Sequence, residues 1–335
     1  MAIKLGERLL PPEGLCLVSL EVGMNHNGDM GLAEEMIAAA AEVGADAVKF
    51  QSFQTHRLVL PDDPSWAFRK SVELSRAQHE RLRDACARYN LLFLSTPCDE
   101  EGVDLLVSLG CAAIKLGSFD LTHHPLLAHA ARTGLPMILS TGVATLAEIE
   151  EAVGVMRKNG DPPLILLHCV SRYPAPEAEV NLAAMETLAQ AFSVPVGFSD
   201  HTLGVGAAAS AAGLGAVVIE KHFTLDKRLA GPDQAISADP EEARRLVRAV
   251  REAEAARGRP EIRPSPEELE LGRLARRSLW TTRAIMKGEA FSADNIDVLR
   301  PPVGLAPKHL PTVLQRRAAE DIPAHTPLAW KHLSD

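Results

Sequence analysis

From residue 15 to about 256 the chain repeats one unit: a short apolar run, a stretch with helical spacing, then an apolar run again. The runs are LCLVSLEV, ADAVKFQ, LLFLSTP, CAAIKLGS, PMILSTG, LILLHCV, VPVGFSD and AVVIEKHF. Between them lie stretches such as GLAEEMIAAAAEVG, SRAQHERLRDACARYN and LAEIEEAVGVMRKNG. Gly44, Gly110, Gly134 and Gly215 stand just past helix ends, where a left-handed cap needs no Cβ. The runs are apolar almost throughout, as strands of a parallel sheet covered on both faces must be. Eight units of about 30 residues each match a (β/α)8 barrel. The rival is an open doubly wound sheet, which has fewer strands and one glycine-rich phosphate turn. Polar residues mark nearly every strand end here, so the expected class is α/β, a (β/α)8 barrel.

After REAEAARGRPEIRPSPEELELG the composition changes to short strand-like pieces, RSLWTTRAI and AEDIPAHTPLAW, with KGE and PAH turns. The expected organisation is a catalytic barrel over 1–256, a linker over 257–274 and a small, mostly β domain over 275–335. A net charge of −9 argues against a broad nucleic-acid surface, though not against a locally positive pocket. The N-terminal MAIKLGERLLPPEG lacks the unbroken apolar segment a signal peptide needs, no run approaches the length of a membrane span, and the five cysteines form no CxxC pair. A cytoplasmic protein with reduced thiols is expected, acting on neither nucleic acid nor membrane. Cys98, after LSTP, is a candidate pocket-lining thiol.

In a barrel of this kind the chemistry sits at the C-terminal mouth. The strands deliver to it, in order, Glu21, Asn25 and His26; Lys49 and Gln51; Ser95 and Thr96; Lys115 and Ser118; Ser140 and Thr141; His168, Ser171 and Tyr173; Ser199, Asp200 and His201; Glu220, Lys221 and His222. Any one could be a helix cap or a satisfied buried group. Polar tips on all eight strands are hard to explain by stability, because burying them costs free energy unless partners or a ligand meet them. Lys49 and Lys115, with Thr96, Ser118, Ser140 and Ser199, make a donor-rich wall suited to an anion carrying phosphate and carboxylate. The alternative for each lysine is an ion pair with Glu21 or Asp120. His201 and His222 end neighbouring strands about 4.8 Å apart, so the two imidazoles can share a divalent ion and leave positions open for substrate oxygens. The period of two puts Glu220 and His222 on one face and sends Lys221 towards the helices. Asp233 belongs to a loop over the mouth, as a site residue or a turn residue. GVGAAA at 204–209 matches a dinucleotide fingerprint, but SDHT separates it from its strand, and a helix start that could favour an anion is the better reading.

In order and spacing, EVGMNHNGD, AVKFQ, LSTP, IKLGS, LSTG, HCVSRYPAP, GFSDHTLG and IEKHFTLDK…GPD resemble the sialic acid synthase family. That family comprises the N-acetylneuraminate, legionaminate and pseudaminate synthases and a spore-coat relative. TTRAIMKGEAFSADNIDVLRPPVGL resembles its C-terminal antifreeze-like (SAF) domain. The resemblance implies a TIM barrel that condenses phosphoenolpyruvate, an N-acylated mannosamine-type sugar and water into a nine-carbon 2-keto acid plus phosphate. It implies Mn2+ held by His201 and His222, with Mg2+ or Co2+ as substitutes. Glu21, Lys49, Lys115 and His222 become the catalytic candidates, with Glu21 as acid/base. Thr96, Ser118, Ser140 and Ser199 would meet phosphoenolpyruvate, and Ser171, Tyr173 and Asp233 the sugar. Arg300 matches an arginine that the small domain inserts into the partner's barrel, which implies a domain-swapped homodimer.

Three departures concern the sugar. Ser171 stands where neuraminate synthases carry an asparagine, Phe119–Asp120 replace a Gly-Glu pair, and PDDPSWAFRKSVELS has no evident counterpart to a sugar-binding asparagine. HCVSRYPAP and IEKHFTLDK lean towards the legionaminate and spore-coat branch. Two rivals remain: a metal-free Schiff-base aldolase using Lys115, and a sugar-acid binding barrel without catalysis.

Overall fold

A computed structural model describes residues 3–11 and 14–334. It divides into two compact units, one ending at Gly258 and the other beginning at Arg259. The first is built on eight parallel strands: β1 Leu17–Gly23, β2 Ala47–Ser52, β3 Leu92–Pro97, β4 Ile114–Leu116, β5 Met137–Ser140, β6 Leu164–Cys169, β7 Val196–Asp200 and β8 Val218–His222. Their order is β3-β2-β1-β8-β7-β6-β5-β4. β3 and β4 lie side by side without a ladder at the remaining seam. The longer helices between them are α1 Met30–Glu42, α2 Arg76–Arg88, α3 Glu100–Ser108, α4 His124–Arg132, α5 Leu146–Lys158, α6 Ala184–Phe192 and α7 Gly206–Gly213, and α8 Pro240–Arg257 follows β8. The expected (β/α)8 class is what the chain forms, and the open doubly wound sheet is excluded. Capping boxes start α2, α5 and α8, where Ser75, Thr145 and Asp239 pair with Gln78, Glu148 and Glu242.

The period of two sorts each strand between two environments. Val18, Leu20, Val22, Phe50, Phe93, Leu116, Leu166, Phe198 and Ile219 pack with the helices in one large core. The alternate positions face the lumen, and their character changes along the barrel. Leu17, Ala47, Leu94, Ala113, Ile138, Ile165 and Val218 make an apolar plug at the N-terminal end, sealed by Ile3, Leu5 and Leu10. The hairpin that brings Leu5, Lys4–Leu5 against Arg8–Leu9, was not expected. Two or more residues further along each strand, the lumen positions become charged and polar.

Two glycines allow this close packing. A Cβ on Gly197 would lie 2.4 Å from the Val218 carbonyl oxygen, so β7 can approach β8 only without a side chain there. Gly23 has φ +55° and sits at a register shift between β1 and β2. A Cβ at Gly23 would stand 2.8 Å from Glu21 Oε1. The period of two already turns the Glu21 carboxylate into the lumen, and the bulge follows it directly, as bulges often do beside sites.

In the second unit, Pro266–Ala275 is a helix that begins inside the stretch read as linker and ends one residue past it. Beyond it, antiparallel Ser278–Thr281 with Ile296–Leu299, and Arg317–Ala318 with Leu333–Ser334, surround a core of Leu279, Ile285, Phe291, Ile296, Val313, Ile322 and Leu328. Among the described residues no helix is long and apolar enough to cross a membrane.

Candidate active site

Four charged side chains meet in the lumen at the strand ends. Lys49 Nζ lies 2.6 Å from Glu21 Oε2 and 3.7 Å from Glu220 Oε2, and donates to Thr96 Oγ1 at 3.1 Å. Lys115 Nζ lies 3.5 Å from Glu220 Oε1 and donates to Ser140 Oγ at 2.8 Å. Ser199 Oγ donates to the same carboxylate at 3.1 Å. Glu21, Lys49, Lys115 and Glu220 are all buried, and their formal charges cancel. The expected ion pair of Lys49 with Glu21 exists. Lys115 pairs with Glu220, not with Asp120. Sequence reasoning placed Glu220 at the mouth but gave it no role, although it shares its strand face with His222 and anchors both lysines.

The two carboxylates are driven apart. Burial raises Glu21 to about 7; Glu220 adds to the rise and Lys49 opposes it. Burial also acts on Glu220, but Lys115 and Lys49 together overcome it and hold this carboxyl well below its usual range. Burial lowers Lys115, whereas Glu21 and Glu220 more than offset burial at Lys49 and raise it. One carboxylate thus stays ionised while the other is poised to exchange a proton near neutral pH.

His201 and His222 stand at the ends of β7 and β8 with ring centroids 5.5 Å apart. His201 Nδ1 lies 2.9 Å from the Val170 carbonyl; donating there leaves Nε2 with a free lone pair. His222 Nδ1 is buried without a hydrogen-bond partner, and burial, with His201 and Lys49, lowers this imidazole to about 3. Burial lowers His201, but Cys169 and the Val170 carbonyl more than offset it and raise this imidazole, so a metal ion would have to displace a proton there; with both rings neutral, their available nitrogens fit a divalent transition ion. Among the described residues no group of three or more His, Cys, Asp and Glu side chains is arranged to hold a metal, so a bound ion would take its other ligands from substrate or water. Tyr173 packs on His201 at 4.3 Å between rings.

These groups open into a cavity of about 460 Å³, a size that holds two small substrates. Glu21, Lys49, Thr96, Lys115, Ser118, Ser140, Tyr173, Ser199, His201, His222 and Asp233 all line it. Ser171 does not line it; its hydroxyl lies 3.8 Å from Cys169 Sγ. Arg300 belongs to the second unit, where it is exposed. Cys98 lines the cavity, but burial pushes its thiol to about 12 and makes it unreactive. The outer part of the cavity is formed by Met24, Leu58, Val59, Arg69, Phe119 and Asp120. Arg69 comes from a short helix, Trp66–Ser71, whose sequence carried no site signal.

Several residues read as strand-tip groups serve elsewhere: Asp200 faces the helices, paired with Lys221, and Thr141 donates to the Leu167 carbonyl. Ser95 faces outward, bonded at 2.7 Å to Ser52, which bonds in turn to His79. His168 faces the helix layer, bonded at 2.7 Å to the Val180 carbonyl. His26 accepts from the Gly28 N–H and packs near Phe50. Asn25 ties down the loop that carries Asp233. Its Nδ2 donates at 2.9 Å to both the Phe223 carbonyl and Ser237 Oγ, and Ser237 Oγ donates at 2.6 Å to the Asp233 carbonyl. Gln234 Nε2 closes the web on the Asn25 carbonyl. An Asn25→Ala protein should lose about 1–3 kcal/mol in denaturant unfolding, because buried acceptors lose their donor. A loss below about 0.5 kcal/mol would mean that the web does not brace the loop.

The chain matches the NeuB family over residues 36–261 and the SAF domain over residues 276–334. It is 41% identical to N,N'-diacetyllegionaminic acid synthase of Legionella pneumophila, covering 95% of this chain and 94% of that one. It is 38% identical to the spore coat polysaccharide biosynthesis protein SpsE of Bacillus subtilis, covering 98% of this chain and 96% of that one. The crystal structure of N-acetylneuraminic acid (sialic acid) synthetase from Leptospira borgpetersenii in complex with citrate superposes with a TM-score of 0.77 at 35% identity, covering 81% of this chain and 95% of that chain.

Proposed function

The chain belongs to the NeuB family, with a SAF domain at its C-terminus, and on that premise we propose that it is a nonulosonic acid synthase. It condenses phosphoenolpyruvate with an N-acylated mannosamine-type sugar and water, in the cytoplasm, giving a nine-carbon 2-keto acid and phosphate. The observation that carries this reading is the buried quartet of Glu21, Lys49, Lys115 and Glu220 beside the His201–His222 pair. A barrel that only held its fold together would not keep four charges in its lumen.

Lys49 and Lys115, with the hydroxyls of Thr96, Ser118, Ser140 and Ser199, supply the donors for the phosphate and carboxylate of phosphoenolpyruvate. The quartet is neutral before the substrate arrives, so an entering polyanion favours protonation of Glu21, the group already raised to about 7. As C3 of phosphoenolpyruvate bonds to the aldehyde carbon, protonated Glu21 gives its proton to the aldehyde oxygen. As carboxylate it then takes a proton from the water that adds at C2. The tetrahedral centre collapses by breaking its C–O bond to phosphate, the remaining hydroxyl proton leaves with phosphate, and the 2-keto acid is left. Mn2+ fits His201 and His222, with Mg2+ or Co2+ as substitutes, and when bound it would polarise the aldehyde oxygen as a Lewis acid.

The sugar meets Tyr173, Asp233 and the outer wall. The names of the legionaminic acid and spore-coat relatives favour an acceptor of that branch over N-acetylmannosamine itself. The assembly we propose is a homodimer in which Arg300 of each SAF domain reaches the partner's site. In support, Leu60, Phe119, Val143 and Leu203, all in the connections that follow strand ends at the mouth, are 73%, 72%, 71% and 54% exposed. A fully active monomer in sedimentation would exclude that arrangement.

The test is phosphate release from phosphoenolpyruvate with Mn2+, across N-acetylmannosamine and its diamino-deoxy analogues, with and without EDTA. Metal-dependent release with one sugar is the expected result and names the branch. Release with none, from a protein that binds phosphoenolpyruvate, would contradict the reading. The lowered ammonium of Lys115 is what favours the aldolase alternative; borohydride trapping of the chain with a keto acid would establish it instead.

A further inference from the structure

On the helix-facing side of β7 and β8 lies a buried ion pair with no contact to the cavity. Lys221 Nζ is 2.7 Å from Asp200 Oδ2 and donates at 2.6 Å to the Thr202 carbonyl. Asp200 Oδ1 accepts from the N–H and the hydroxyl of Thr202, at 2.9 and 2.8 Å. Asp200, Thr202 and Lys221 are 1%, 1% and 4% exposed. Lys221 and Asp200 are also register partners across the two strands.

The placement of these bonds in the chain matters most. His201 is the residue enclosed between Asp200 and Thr202, and His222 directly follows Lys221. One ammonium carried by the residue before His222 therefore grips both sides of the turn that carries His201. Removing two charges from water costs several kcal/mol that their attraction only partly offsets, and apolar side chains would serve stability as well. What the ion pair adds is a fixed distance between the two strand ends.

The histidines need that distance fixed from outside. A metal-ligating imidazole is usually oriented by a hydrogen bond from its second nitrogen. His201 has one, to Val170, but His222 Nδ1 has no partner. The backbone position of His222 must then set where its ring stands.

We infer that Lys221 and Asp200 are positioning residues that hold the His201 and His222 rings 5.5 Å apart, so that one divalent ion reaches both. This rests on the proposal that the pair holds the metal.

The test is the Mn2+ dissociation constant of the full chain without substrates, by titration calorimetry or electron paramagnetic resonance. An Asp200→Asn/Lys221→Met double variant removes both charges and leaves neither buried alone. It should keep its circular dichroism spectrum and its thermal midpoint within a few degrees, and bind Mn2+ about 10–100-fold more weakly, the usual effect of losing an outer support. Binding within about twofold of wild type would overturn the inference. If the double variant does not fold, Asp200→Asn alone, which keeps the acceptor for Thr202, decides by the same comparison. His222→Ala separates the two layers. If it binds Mn2+ like wild type, or wild type binds none, the metal assignment fails and this inference with it. If His222→Ala loses the ion while the double variant keeps it, only the positioning role fails.

Discussion

A Glu21→Gln protein is expected to fold, to bind divalent metal and phosphoenolpyruvate, and to turn over roughly 10²–10⁴-fold more slowly than wild type, the usual contribution of one positioned acid/base group. Glutamine fills the same volume at the end of β1, keeps an oxygen near the Lys49 ammonium, and cannot exchange the proton. The substitution should also change how stability depends on pH. Burial raises Glu21 from 4.5 to about 7 in the folded chain, so folding favours its neutral form. The stabilisation that Glu21 provides is fully present below about 4.5 and is lost as pH rises through about 7. The introduced glutamine does not ionise, so the variant should gain on wild type above about pH 7, by at most roughly 3 kcal/mol, and the gain should vanish near pH 4.5. Glu220 acts in the opposite sense. Its lowered carboxyl stabilises the fold above the ordinary carboxylate range and loses that effect in acid. Denaturant unfolding at several pH values checks this, and a difference independent of pH would contradict the raised carboxyl.

Lys49→Met should be the most damaging single change in the barrel. It removes the ammonium 2.6 Å from Glu21 and 3.7 Å from Glu220, leaving two buried carboxylates with Lys115 alone. Breaking one side of a buried pair typically costs about 3–5 kcal/mol, and that is the loss expected near pH 8. The loss should shrink in mild acid, because Glu21 can then fold protonated. Catalysis should disappear, since the donor next to Thr96 is gone. Glu21→Gln/Lys49→Met should recover most of the stability and none of the activity, and this double-mutant cycle isolates the pair. Lys49→Met unfolding within about 1 kcal/mol of wild type at about pH 8 would mean that the quartet is not electrostatically coupled as its distances imply.

The strands were legible because a parallel strand buried on both faces has to be apolar for its whole length, so LVSLEV and VVIEKH announce themselves. The alternation within them was equally legible, and it separates Glu220 and His222 from Lys221. Where that alternation was not applied, the reading went wrong: Ser95 and His168 occupy outward positions, and Ser52 and the Val180 carbonyl satisfy them there. Asn25 and His26 lie past the bulge at Gly23, where the period no longer holds, and only the folded loop reveals that Asn25 braces Asp233. The N-terminal hairpin has strands of two residues each, too short for any periodicity, so its sealing of the lumen through Leu5 could not be read from KLGERL. Arg69 reaches the cavity from a short helix in a long connection, where sequence distance says nothing about proximity. The Pro266–Ala275 helix was read as linker, although Ser265, Pro266 and Glu268 carry a helix-start signal, with Ser265 and Glu268 forming its capping box.

The central claim is that the strand ends bring C3 of phosphoenolpyruvate to an aldehyde and then a water to C2. It is tested most directly by incubating the full chain with Mn2+, the accepted sugar and phosphoenolpyruvate carrying oxygen-18 in its bridging position, with mass spectrometry of the products. C–O cleavage predicts that the label leaves entirely with phosphate and that the keto oxygen comes from water. Label retained in the keto acid, with phosphoenolpyruvate consumed, would show attack at phosphorus and contradict the mechanism assigned to Glu21 and the lysines.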